Sequence, residues 1–193
     1  MNILYLHGIS MNKEIMKYQS RKIIKVLPSF NHFFINGIYE SKQNPPKIIT
    51  KKFKGPYFDF CIKKYKNQNE IQYDGIDKSV DYLTEVVTKN KIDGIIAYSQ
   101  GTYISSILSN FIDLKFIIHI CGMKCKDNKI IYNTKVPSLH IIGKNDKFYL
   151  ESIKFKNLYE DSSFIIHNGG HTFPKDEYIY QHIKKWIKSI NEI

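Results

Sequence analysis

Short runs of consecutive apolar residues alternate along this chain with stretches in which apolar side chains recur every three or four positions. The runs at 2–6, 32–35, 93–97, 116–120, 138–142 and 163–167 lack the polar alternation of a strand with one wet face, and Phe116-Ile117-Ile118-His119-Ile120 is the clearest. They suit strands of a parallel sheet buried on both faces. The intervening stretches predict helices over 12–26, 77–89, 100–110, about 149–159 and about 176–190. Ile15, Met16, Ile23 and Ile24 approximate one face of the first, and Val80, Leu83, Val86 and Val87 point inward from the second. This order predicts an α/β chain: a doubly wound, mostly parallel sheet with helices on both faces and its site at the strands' C-terminal edge.

The pattern stops between 36 and 72, where Gly37, Pro45, Pro46, Gly55 and Pro56 are mixed with lysines and aromatics. Proline and glycine at that density read as an irregular excursion with at most short elements. No repeat or linker interrupts the rest, so 1–193 is expected to be one domain carrying this insertion.

Three strand ends carry candidate chemistry. Gly94-Ile95-Ile96-Ala97-Tyr98-Ser99-Gln100-Gly101-Thr102 runs an apolar strand into a serine and then a helix, the pattern of a nucleophile elbow. The chain folds back on itself there and needs small residues two before and two after the serine, which Ala97 and Gly101 supply. The strand at 138–142 is followed by a loop delivering Asp146, and the strand at 163–167 by Gly169-Gly170 and His171. Nucleophile, acid, histidine is the chain order this architecture requires. Ser99 is then the nucleophile, His171 its base and Asp146 the group that orients the imidazole. The backbone N–H of Gln100 is one oxyanion donor, and after His7-Gly8 the N–H of Ile9, with Ser10 next, is the other. His167 is the competing histidine; His119 and His140 fall inside strand patterns and read as core residues, and His7 as structural.

At these residues the sequence resembles the FSH serine hydrolases, small α/β-hydrolases. The resemblance rests on Leu4-Tyr5-Leu6-His7-Gly8-Ile9-Ser10-Met11-Asn12, the elbow, Leu139-His140-Ile141-Ile142-Gly143 with Asp146, and His167-Asn168-Gly169-Gly170-His171-Thr172-Phe173-Pro174. It spans Asn2 to about Trp186. It implies an α/β-hydrolase fold with no large cap domain, and a Ser-His-Asp hydrolase acting on a carboxylic ester or thioester through an acyl-enzyme, without metal or organic cofactor. Ala97 stands where the family has glycine, and 36–70 shows little that matches.

Charge and cysteines modify this picture only slightly. The net charge is +11, yet Arg21 is the only arginine among 29 basic residues and Ala97 the only alanine. That bias follows AT-rich codons, and scattered lysines give mainly sequence-independent attraction, so no specific nucleic-acid partner is expected. The basic stretches Lys51-Lys52-Phe53-Lys54 and Lys63-Lys64-Tyr65-Lys66 are the exceptions to watch. Cys61, Cys121 and Cys125 form no metal-ligand pattern, no apolar run is long enough to span a bilayer, and no secretory leader is apparent, so a cytoplasmic protein is expected. Cys121 reads as a small buried hydrophobe and Tyr98 as a pocket-floor candidate. The excursion is expected to overhang the site as a mobile partial lid, with Phe53, Tyr57, Phe58 and Phe60 offering apolar surface to an acyl chain. Two alternatives stay open: a catalytically silent binding module on the same fold, and an acyl-protein thioesterase-like enzyme.

Overall fold

The computed structural model describes residues 1–65, 71–127, 130, 132 and 135–191. From the N-terminus, β1 (Asn2–Leu6) leads through α1 (Lys13–Gln19) and α2 (Arg21–Val26) to β2 (Asn31–Phe34). The excursion holds β3 (Tyr39–Glu40), α3 (Lys47–Thr50), β4 (Phe58–Asp59), β5 (Ile62–Tyr65) and β6 (Ile71–Asp74). Then follow α4 (Ile76–Asn90), β7 (Gly94–Tyr98), α5 (Gln100–Leu108), β8 (Phe116–Ile120), β9 (Ser138–Gly143), α6 (Tyr149–Lys156), β10 (Ser162–His167) and α7 (Glu177–Asn191).

Six strands form one sheet in the order β10-β9-β8-β7-β1-β2, parallel at every pairing. Alternate residues feed opposite cores, as the strand period requires. Ile3, Tyr5, Ile96, Ile118 and Leu139 join Met16 and Ile23 of α1 and α2, and Ile179, Ile183 and Ile187 of α7, in one core. Leu4, Leu6, Ile95, Ala97 and Ile117 join Val80 and Leu83 of α4 and Ile104 and Leu108 of α5 in the other. Covered on both faces, the sheet has no use for polar alternation, which is why its strands read as unbroken apolar runs.

The chain winds outward from β1 to β2, then resumes on the other side of β1 with β7. A crevice opens at such a reversal, at the strands' C-terminal ends, and loops from both halves meet there. The helix expected over 12–26 is two helices joined at Ser20, whose backbone (φ −83°, ψ 2°) leaves the helical region while its N–H still donates to the Met16 carbonyl. The hydrogen-bond ladder therefore bends instead of ending. In the excursion, β3 pairs with β4 and β5 with β6, each antiparallel. The Phe58 N–H donates to the Met11 carbonyl, 2.6 Å, tying this segment to the loop after β1.

Candidate active site

Ser99 begins α5 directly after β7 with φ 51° and ψ −112°. A side chain held at positive φ costs about 1–3 kcal/mol, which surrounding contacts must over-determine. Here they do: the Ser99 N–H donates to the Ile120 carbonyl (3.1 Å), and the Ser99 carbonyl accepts from the Thr102 N–H (3.0 Å) and Thr102 Oγ1 (2.6 Å). Gly101 is required by contact, because a Cβ there would lie 2.7 Å from the Leu6 carbonyl oxygen. Ala97 sits inside the ladder, paired with Leu6 and His119, fully buried and part of the core with Leu4, Leu6 and Ile95.

Two strand ends bring the partners in. Ser99 Oγ lies 2.9 Å from His171 Nε2, and His171 Nδ1 lies 2.6 Å from Asp146 Oδ2. A carboxylate only accepts, so Nδ1 carries the imidazole proton and Nε2 is left to accept the serine hydroxyl. The other Asp146 oxygen accepts the Phe148 N–H at 2.9 Å, which fixes the carboxylate's rotation. The Tyr98 hydroxyl donates to the His171 carbonyl at 2.8 Å, and the Tyr98 and Phe148 rings flank the imidazole at centroid distances of 5.4 and 5.5 Å. Burial pushes the Tyr98 phenol well up, so it stays a neutral donor.

His167 is four residues away from this arrangement in sequence and outside it in space. Its Nδ1 accepts the Gly169 N–H at 3.1 Å, and it shapes the loop that presents His171. His119 and His140 are buried side by side on β8 and β9, within the sheet, bonded to Tyr159 and Ser138 respectively. Burial lowers His140 to about 3 and His119 well below the ordinary histidine value, so both are neutral packing groups.

The N–H groups expected to serve as oxyanion donors divide. Neither the Gln100 nor the Ile9 N–H has a hydrogen-bond partner among the described residues. The Ser10 N–H donates to Asp59 Oδ1 at 2.6 Å, which removes Ser10 from the set expected above. Gly8 allows the close approach of this loop: a Cβ on it would lie 3.0 Å from the Tyr98 ring and 3.3 Å from Ser99 Cβ.

Two buried side chains with no periodic signature lock the excursion to the site. Gln100 Oε1 accepts the Phe60 N–H at 2.7 Å and its Nε2 donates to the Cys61 carbonyl at 3.2 Å. His7 Nδ1 donates to the Gly8 carbonyl at 2.7 Å, and its Nε2 accepts the Gly37 N–H at 2.9 Å. Burial lowers His7 to about 4, keeping Nε2 unprotonated and able to accept.

The excursion does reach the site, through different residues from those expected. Ser99 and His171 open into a cleft of about 610 Å³ whose walls include Ile9, Met11, Tyr98, Met123 and Phe148, and, from the excursion, Pro46, Ile48, Ile49 and Lys63. Phe53 and Tyr57 line a separate surface depression instead. Phe53 packs its ring against Tyr18 at 5.5 Å, and the Tyr57 hydroxyl donates to the Phe53 carbonyl at 2.7 Å. Phe60 is fully buried, so these aromatics anchor the segment and an aliphatic turn forms the mouth. Nothing in the apolar spacing distinguishes Ile48 from its neighbours; Pro46 before a short apolar pair was the available signal.

Among the described residues one trio could approach a metal ion: the ligand atoms of Cys121, Asp146 and His171 lie within 4.8 Å of one another. Asp146 and His171 already bond each other, and burial raises the Cys121 thiol, whereas a metal binds the thiolate. Cys121 has positive φ (51°), no exposure, and a sulfur 3.5 Å from the Thr172 carbonyl, so it packs under the histidine loop. No helix among the described residues is long and apolar enough to cross a membrane.

With the geometry described, the chain can be set beside known proteins. It is 23% identical to hydrolase phiM of Talaromyces stipitatus over 223 aligned positions, covering 99% of this chain and 88% of that protein. The crystal structure of esterase PE8 superposes with a TM-score of 0.73 at 15% identity, covering 98% of this chain and 92% of that one. Arabidopsis thaliana SOBER1 gives 0.70 at 15% identity with 98% of both chains covered. These two likenesses establish the α/β-hydrolase fold. Residues 1–183 match the family described as serine hydrolase (FSH1). The chain therefore belongs to the FSH1 serine hydrolase family.

Proposed function

We propose that the protein hydrolyses carboxylic esters or thioesters through an acyl-enzyme formed on Ser99. The observation that carries this reading is the continuous chain from Ser99 Oγ to His171 Nε2 (2.9 Å) and from His171 Nδ1 to Asp146 Oδ2 (2.6 Å). His171 takes the serine proton as Oγ attacks the carbonyl carbon, and Asp146 stabilises the resulting imidazolium. The oxygen that gains charge points to the Gln100 and Ile9 N–H groups, each unpaired beforehand; a donor of this kind is worth about 10²–10³-fold in turnover. The imidazolium returns its proton to the leaving alcohol or thiol. Water then attacks the acyl carbon, gives a proton to His171 and releases the carboxylic acid, and Ser99 regains its hydrogen. Overall, ester and water become acid and alcohol.

Labelling with a fluorophosphonate probe tests the reading. A single adduct on Ser99, lost in Ser99→Ala, is the expected result. No adduct on folded protein, with no turnover of p-nitrophenyl acetate, would favour a silent binding module.

A further inference from the structure

Two adjacent lysines on β5 have opposite surroundings. Lys64 is 62% exposed and ion-paired to Asp74 at 2.5 Å. Lys63 points to the other side of the strand, as alternation requires, and lines the cleft that holds Ser99 and His171. No carboxylate lies within ion-pairing distance of its ammonium among the described residues. The groups that act electrostatically on Lys63 are the Cys61 and Cys125 thiols, the like charge of Lys126, and Asp59, a carboxylate that lies beyond ion-pairing distance and whose Oδ1 accepts the Ser10 N–H. Its ammonium also lies 5.7 Å from the Tyr73 ring centroid, a cation–π contact that is favourable but weaker than a direct ion pair. Burial lowers its affinity for a proton. Removing an ammonium from water is unfavourable unless an anion compensates, and with Asp59 acting only from beyond ion-pairing distance, an anion entering the cleft would supply a direct partner.

Position is also constrained. The Gln100 side chain donates to the Cys61 carbonyl, so the residue after the nucleophile holds the start of the strand that bears Lys63. A second cation, Lys147, reaches the same cleft from the loop between Asp146 and Phe148.

We propose that Lys63, aided by Lys147, is a specificity-determining residue that selects ester substrates carrying a carboxylate group in addition to the scissile ester. This rests on the hydrolase reading above. Long-range attraction by the two lysines raises the encounter rate with an anionic substrate, a contribution that salt screens, and the ion pair formed in the cleft adds affinity.

The test compares matched esters. Mono-p-nitrophenyl adipate against p-nitrophenyl hexanoate places the anion on the acyl side; 4-carboxyphenyl hexanoate against 4-carbamoylphenyl hexanoate places it on the leaving group. The wild type is expected to favour the anionic member of at least one pair by about tenfold in kcat/KM, a ratio that falls severalfold between 50 mM and 500 mM NaCl. Lys63→Met should collapse that ratio towards one, and Lys63→Arg should retain most of it. A wild-type ratio at or below one in both pairs overturns the proposal and needs no variant, so a misfolded Lys63→Met protein cannot rescue it. A wild-type preference that survives intact in folded Lys63→Met also overturns it. Failure to turn over any of the four esters, with Ser99 unlabelled, refutes the hydrolase reading instead.

Discussion

The loops that follow β7, β9 and β10 and the excursion between 36 and 72 both border the same cleft, but they are built on different principles. Ser99, Asp146 and His171 each stand within a few residues of a parallel strand's C-terminal end, so the sheet's register delivers them to one edge. Among the described residues the excursion has strands of two to four residues and one short helix, and it is tied to the body by separate contacts, among them Gln100 and His7 side chains and the Phe58 N–H to the Met11 carbonyl. The three residues of the proposed triad are thus placed by repeated backbone hydrogen bonds, and the cleft's mouth by separate, individual ties. Each prediction below separates the two regions or tests their joint.

The largest effects should come from the strand-end loops. Ser99→Ala and His171→Ala are each expected to lower kcat by on the order of 10⁶, since members of such a unit act together, while His167→Ala keeps most activity. Asp146→Asn should cost about 10⁴, because the amide stabilises the wrong imidazole tautomer. Steady-state p-nitrophenyl acetate hydrolysis, with circular dichroism to show folding, checks all four. Retained turnover in His171→Ala together with loss in His167→Ala would reverse the assignment.

What the sequence disclosed follows the same division. Strand runs such as 116–120 and the serine, aspartate and histidine at successive strand ends were legible because a buried parallel sheet imposes an apolar run and a fixed outlet for each loop. The break at Ser20 was not, since the helical spacing of apolar residues continues through it. Nor was the exchange of Phe53 and Tyr57 for Pro46, Ile48 and Ile49 at the mouth. Aromatic residues in an irregular segment advertise burial of some kind, but which surface they bury depends on tertiary ties such as the Phe53–Tyr18 ring contact. Nor was the tie on the Ser10 N–H, the second choice after Ile9, legible: its partner, Asp59, lies 49 residues further along the chain.

The joint between the regions is the next largest target. Gln100→Leu leaves the Phe60 N–H and the Cys61 carbonyl buried without partners while keeping the Gln100 backbone N–H in place. Each orphaned group costs about 1–3 kcal/mol. The free energy of opening the excursion should fall by roughly 2–4 kcal/mol, read as faster limited proteolysis within 36–72. An unchanged cleavage rate would mean that the excursion is held by its own packing and that the contrast drawn here is overstated.

Acid should act on both regions together. His7 and His140 titrate at about 4 and about 3 in the folded protein, below the ordinary value near 6.5, and His119 is lowered as well. Below 6.5 the unfolded chain takes up protons that the folded one refuses. Stability is therefore full above pH 6.5 and falls as pH drops toward 4, by about 1.4 kcal/mol per pH unit for each such histidine. His140→Gln should reduce that slope by one histidine's share between pH 6.5 and 5, measured from urea midpoints in a pH series. An identical slope in the variant would show that His140 does not titrate differently on unfolding.

The smallest expected effect bears most directly on what the excursion contributes. Ile48 is 80% exposed and lines the cleft's mouth, so Ile48→Ser removes apolar surface that an acyl chain could meet while costing the fold almost nothing. At about 25 cal/mol per Å² of apolar area, partial coverage of that side chain is worth about 1 kcal/mol. The variant should lose roughly fivefold in kcat/KM for p-nitrophenyl decanoate relative to acetate, with an unchanged melting temperature. Phe53→Ala should do the opposite: its ring is spent on Tyr18, so the melting temperature falls while the decanoate-to-acetate ratio stays put. A changed ratio in Phe53→Ala, with none in Ile48→Ser, would return the aromatic residues to the acyl path and make α3 a bystander.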